Sequence, residues 1–131
     1  MNDFGDSIRF GASTAAEDEI DLTKVSCDMN LYEIYLRGFL KGCNGKLTSK
    51  EMELLQFGAK VMTFECGMRF LTDYLEGDHY FKIHRENHNL DRCRTQFKLV
   101  EDMENKWEIM QKITEKYRRM YKQEKSDYFG Y

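Results

Sequence analysis

The sequence predicts an all-α fold of four or five helices, the last of them long. Three observations predict it. There is no proline in 131 residues, so nothing removes a backbone donor from within a helix. Strong helix formers, Glu, Lys, Leu, Met, Gln and Arg, are plentiful and few segments are rich in β-branched residues. Apolar side chains recur at spacings of three and four rather than two.

The first element spans Asp3 to about Ala16, where Phe4, Ile8 and Ala12 fall at helical spacing, although Gly5 and Gly11 weaken the helix. Thr14-Ala15-Ala16-Glu17 has the pattern of a capping box, which suits a short helix or turn in the acidic stretch after it. A second such pattern, Asn30-Leu31-Tyr32-Glu33, opens a stripe through Ile34, Leu36, Phe39 and Leu40 that Gly42 and Asn44-Gly45 stop. Thr48-Ser49-Lys50-Glu51 is the clearest capping box. Behind it Met52, Leu55, Ala59, Met62 and Cys66 step by three and four, and the helix is expected to reach Leu75 before Gly77 ends it. Gly58 and Gly67 inside it cost about 1 kcal/mol each against Ala, and such glycines mark close helix contacts. Asp78 to His88 reads as a linker with an aromatic core, and Asn87 or Asn89 as the next cap. From Leu90 through Cys93, Phe97, Val100, Met103, Trp107, Met110, Ile113, Tyr117 and Met120 one stripe runs unbroken, which predicts a single amphipathic helix of roughly thirty residues. The reading is thus one helical domain over residues 1–125 with a frayed tail at 126–131.

A chain of this length suits one domain and buries roughly two thirds of its unfolded surface. With 41% hydrophobic and 14% aromatic residues it has the material for a core. Twenty basic against 23 acidic residues leave a net charge of −3, which gives no general field for nucleic acid or anionic membrane. No run approaches the roughly 18 apolar residues of a membrane span, and the first ten residues have no secretory pattern. Cys27, Cys43, Cys66 and Cys93 form no C-x-x-C pair, so a structural zinc site is not expected. They read as reduced, mostly buried thiols in a cytoplasmic protein.

Several constellations admit two readings each. His84 and His88 at i, i+4, with His79 nearby, suit either surface and structural histidines or a metal clamp. The pairs Asp3/Asp6 and Asp73/Asp78 suit either capping and solvation or Mg²⁺ binding and acid–base work. Arg69 and Asp73, one turn apart in apolar sequence, suit either an internal helix pair or a donor fork for a ligand. No glycine-rich phosphate loop occurs, neither G-x-x-x-x-G-K-[ST] nor G-x-G-x-x-G, and no nucleophilic triad is recognisable.

The blocks Asp3-Phe4-Gly5-Asp6-Ser7-Ile8-Arg9-Phe10, Thr14-Ala15-Ala16-Glu17-Asp18-Glu19, the run from Arg69 to Asp78, Tyr80-Phe81-Lys82 and the run from His88 to Gln96 resemble, in this order, the C-terminal third of the aminoglycoside phosphotransferase/choline kinase superfamily. The nearest branch is the N-acetylhexosamine kinases, and the likeness extends from Asp3 to about Trp107. The resemblance implies the helical subdomain of a protein-kinase-like C-terminal lobe. It implies that Arg69 and Tyr80 contact sugar hydroxyls. It also implies that Asp3 or Asp6 braces the catalytic loop and that Asp73 supports the same motif. Mg²⁺ and ATP belong to the full-length family, whose H-x-D base and D-x-D-like metal site precede the D-F-G-D segment. Neither motif is in these residues, so the chain alone is expected to need no cofactor.

The resemblance thus implies a truncated sugar-kinase subdomain, weakly binding an amino sugar and inactive alone. Such a subdomain is expected to self-associate through exposed apolar faces, without nucleic-acid or membrane partners. The alternatives are a helical module that complements a separate N-terminal kinase half, and an independent metalloenzyme built on His79, His84 and His88.

Overall fold

The computed structural model describes residues 2–43 and 46–128, with side chains over 3–43 and 46–120. Five helices form: α1 (Asn2–Gly11), α2 (Met29–Cys43), α3 (Ser49–Leu75), α4 (His88–Asn105) and α5 (Trp107–Tyr128), with a 3₁₀ turn at Leu22–Lys24. The fold is all-α, as the spacing predicts. Among the described residues the one β contact is an isolated bridge between Ser13 and Cys27, and no helix is long and apolar enough to cross a membrane.

α1 buries Phe4 and Ile8 and stops at Gly11, short of the expected Ala16. Thr14 causes the difference. Its N–H donates to the Ser26 carbonyl (2.9 Å) and its hydroxyl to that of Lys24 (2.7 Å), which ties the chain to the incoming strand-like segment. The Thr14 pattern therefore opens a turn and no helix. α2 is capped earlier than its Asn30 pattern suggests, by Asp28, whose Oδ1 accepts from the Leu31 N–H at 2.9 Å. The expected stop at Asn44-Gly45 lies outside the described residues. The Thr48 box forms as expected: Thr48 Oγ1 accepts from the Glu51 N–H and Glu51 Oε1 from the Thr48 N–H, both at 3.1 Å. α3 ends at Leu75, and Gly77 takes φ +99°, the left-handed region where glycine carries no penalty.

The main core gathers Phe4, Ile8, Tyr32, Leu36, Met52, Leu55, Leu99, Met103 and Met110 from all five helices. A smaller cluster of Cys66, Phe70 and Cys93, with Phe81 and Phe97 against it, lies toward the other end of α3, beneath the 76–87 loop. Gly67 makes the close contact its position suggests, since a Cβ there would sit 2.6 Å from the Phe97 ring. The face of Gly58 is open.

The single thirty-residue helix is not formed. Lys106, with φ −103° and ψ 14°, separates α4 from α5. No proline or glycine causes this. The Lys106 ammonium folds back to the Cys27 carbonyl (2.8 Å) and Asp102 Oδ2 (2.7 Å), and Gln56 Nε2 donates to the Trp107 carbonyl at 2.9 Å. Side chains inserted beside the helical ladder produce such a bend. α5 then packs on α2 and α3, with Tyr32 and Thr114 joined through their hydroxyls at 2.7 Å. α5 continues to Tyr128, so the expected tail at 126–131 is helical over its first three residues. The remainder lies outside the described residues.

Candidate functional site at the C-terminal end of α3

Asp73 organises this end of the molecule. It is buried on the last full turns of α3. Its Oδ1 accepts from the Tyr80 N–H at 2.7 Å, and its Oδ2 from the Phe81 N–H at 2.9 Å and from Asn89 Nδ2 at 2.7 Å. Burial alone pushes a carboxyl upward. Here the bonds from the Phe81, Tyr80 and His79 amides and from Asn89 outweigh it and hold Asp73 below the ordinary aspartate range. The carboxylate thereby closes the 76–87 loop onto the helix.

The loop is tied a second time. Fully buried Asn89 also donates to Asp78 Oδ1 at 3.0 Å, and Arg92 Nη1 donates to Asn89 Oδ1 (2.9 Å) and to the Lys82 carbonyl (3.0 Å). Asp73 and Asp78 are therefore brought together around one amide donor. The reading of Arg69 and Asp73 as an internal helix pair fails, because Asp73 is committed to the loop. Among the described residues the Arg69 guanidinium is exposed and makes no ion pair or hydrogen bond. Tyr80 is 83% exposed, its ring edge-on to Phe81 at 4.9 Å and its hydroxyl without a partner among the described residues. The site thus offers one fixed scaffold, Asp73, and two free polar heads, Arg69 and Tyr80.

Asp3 and Asp6 lie on the exposed face of α1. Asp6 pairs with Arg9 at 2.9 Å, and Arg9 reaches Glu17 at 2.5 Å. Asp3 takes no side-chain hydrogen bond or ion pair among the described residues; its carbonyl accepts from Ser7.

The three histidines do not converge as a metal clamp. His88 is buried and begins α4; its Nδ1 accepts from the His84 N–H at 3.0 Å and its Nε2 lies 2.8 Å from Asp18 Oδ2. Both ring nitrogens are engaged, and the bond to His88 holds Asp18 below its usual range. Among the described residues no group of three or more His, Cys, Asp or Glu is arranged to hold a metal. All four cysteines are free thiols. Burial pushes Cys27 up to about 12 and raises Cys66 and Cys93, so none of these three is a ready nucleophile.

No family model matches the chain. The residues that sequence reasoning missed are Asn89, Arg92 and Asp18. Their signal was weak: Asn89 reads as a helix cap, and nothing local reveals that an asparagine at the start of a helix is fully buried. Of the two expected cap positions the structure uses Asn87, whose side chain accepts from the Tyr74 hydroxyl at 3.0 Å.

Proposed function

We propose that this chain is the helical, sugar-facing subdomain of a phosphotransferase of the aminoglycoside phosphotransferase/choline kinase type, nearest the N-acetylhexosamine kinases, and that it binds the sugar without carrying out the transfer. The observation that carries this reading is the free state of Arg69 and Tyr80 beside a loop that Asp73 holds rigid. A planar guanidinium and a phenol with no internal partner are suited to neighbouring hydroxyl groups. Phosphoryl transfer requires a metal, a base or water-positioning group and a phosphate cradle. These 131 residues contain no H-x-D sequence and no glycine-rich phosphate loop, so ATP and Mg²⁺ belong, on this reading, to a lobe outside them.

Calorimetric titration tests it. N-acetylglucosamine is expected to give weak saturable heat that Arg69→Ala and Tyr80→Phe each diminish, and Mg·ATP none. Saturable ATP binding, or sugar binding indifferent to both substitutions, would sink the proposal.

One observation favours a second reading, a helical interaction module that complements a separate N-terminal half. Leu54, Phe57, Phe64, Met68 and Leu75 lie along one face of α3 and are each between 42% and 73% exposed. A contiguous apolar stripe of this kind marks an association surface. Co-purification of a second polypeptide from the source would support it.

A further inference from the structure

At the opposite end of α3 from Arg69, a cleft of about 310 Å³ opens between that helix and α5. Its floor is Gln56, only 5% exposed. The amide orientation of Gln56 is fixed, because Nε2 donates to the Trp107 carbonyl. Oε1 is left as an acceptor with no partner among the described residues. No sealed side-chain polar atom there lacks a partner, so Oε1 is open to the cleft that Gln56 lines. A polar side chain so deeply buried, with an unused acceptor facing a cavity, matches the few placed polar groups that orient a small ligand.

The walls narrow the class of that ligand. Arg118 is forked onto Glu115 at 2.5 and 2.8 Å, bonds Ser49 Oγ at 3.0 Å and lies 3.6 Å from Glu53. Glu115 also takes Arg119 Nε at 3.4 Å, so two carboxylates meet two guanidiniums and the wall carries no excess charge to draw an ion of either sign. Lys60 stands over the Trp107 ring at 5.2 Å, which disfavours a cation there. A neutral molecule remains. It must donate, to Gln56 Oε1 and the carboxylates, and accept, from the Gln111 amide and the outer N–H groups of Arg118. It must also present an apolar face to Trp107. A hydroxylated ring of monosaccharide size has all three properties.

We propose that the Gln56–Trp107–Arg118 cleft is a binding site for a neutral polyhydroxylated ring, separate from the Arg69/Tyr80 site. Gln56 and Arg69 are thirteen positions apart on α3, about 20 Å along the axis, so the two sites do not share a ligand. The inference does not depend on the phosphotransferase reading.

Trp107 is the single tryptophan, and its emission on selective excitation reports on this cleft. The chain, dilute enough to be monomeric, is titrated with glucose, N-acetylglucosamine, inorganic phosphate and a quaternary amine. A neutral sugar is expected to shift Trp107 emission saturably, with half-saturation in the millimolar range open to so small a ligand; phosphate and the amine are expected to leave it unchanged. Gln111→Phe, which fills the cleft from an exposed position, is expected to weaken the response at least about tenfold, and Glu53→Ala to weaken it less. Arg69→Ala is expected to leave it intact. The cleft is no sugar site if no neutral sugar gives a saturable change. The same holds if the change survives both cleft variants in folded protein, or if Arg69→Ala abolishes it. A diminished N-acetylglucosamine heat in Arg69→Ala alongside an unchanged Trp107 response separates the two sites.

Discussion

At the residue scale the decisive side chains are carboxylates and amides that hold backbone. Asp73 accepts from two loop amides and from Asn89. Its carboxyl sits below the ordinary range, so the folded state binds its proton more weakly than the unfolded one. Its contribution to stability is therefore complete above the unfolded value and lost as pH falls through the folded value. Acidification is expected to release the 76–87 loop before the rest of the fold. Hydrogen exchange at the Tyr80 and Phe81 amides checks this, and Asp73→Asn should abolish their protection at neutral pH. His88 gives a second prediction. Because Nδ1 accepts from the His84 N–H, the neutral ring carries its proton on Nε2 toward Asp18. Nitrogen chemical shifts should report that tautomer, and His88→Ala should cost about 1–3 kcal/mol by leaving its polar partners unpaired. Part of this was legible. The sequence singled out Arg69, Asp73 and Tyr80, and the fold brings them to one end of α3. Of its two readings for Arg69 and Asp73, the internal helix pair lost to tertiary demand: three loop and side-chain donors outcompete one exposed guanidinium.

At the element scale, legibility depended on whether the signal was local. The Thr48–Glu51 box and the stop after Leu75 are local chemistry, and both stand. The break at Lys106 is not local. Its causes are Gln56, fifty residues earlier, and the Cys27 carbonyl, and a stripe of three-and-four spacing continues through it undisturbed. Glycines separate in the same way. A Cβ on Gly5 would lie 2.9 Å from Met62 Cβ and 3.1 Å from the Gly58 carbonyl, neither of which yields easily, whereas a Cβ on Gly58 meets nothing within 4 Å. Gly58→Ala is expected to stabilise the chain by up to about 1 kcal/mol through helix propensity. Gly5→Ala gains the same propensity but must part α1 from α3, and overpacking of about 1–3 kcal/mol outweighs it. Denaturant midpoints of the two variants should move in opposite directions, so sequence alone, which shows two mid-helix glycines, does not separate the one that permits a contact from the one that merely costs helix.

At the scale of the whole molecule, α3 is the axis of the fold and also carries an uncovered apolar row. It touches α1, α4 and α5, and over about 40 Å it still leaves Leu54, Phe57, Phe64, Met68 and Leu75 in solvent. Their spacings of three, seven, four and seven keep them on one face. Phe64 is braced there by stacking on Phe97 at 5.6 Å, so the face is held rigid rather than free to turn inward. Single exposed apolar residues are ordinary, but an aligned row of five on the central helix is a surface that water disfavours and that a second copy of the same row can cover. A twofold pairing of α3 helices would bury the row on both chains at once. Met68 is the position at which to test this, since it is exposed, lies outside both core clusters and stands apart from the Gln56 cleft. Sedimentation over a range of concentrations is expected to show a reversible dimer for the natural chain and a monomer for Met68→Lys, with unchanged helical content. A natural chain that stays monomeric at the highest concentration would remove self-association and leave a different polypeptide as the occupant of that face.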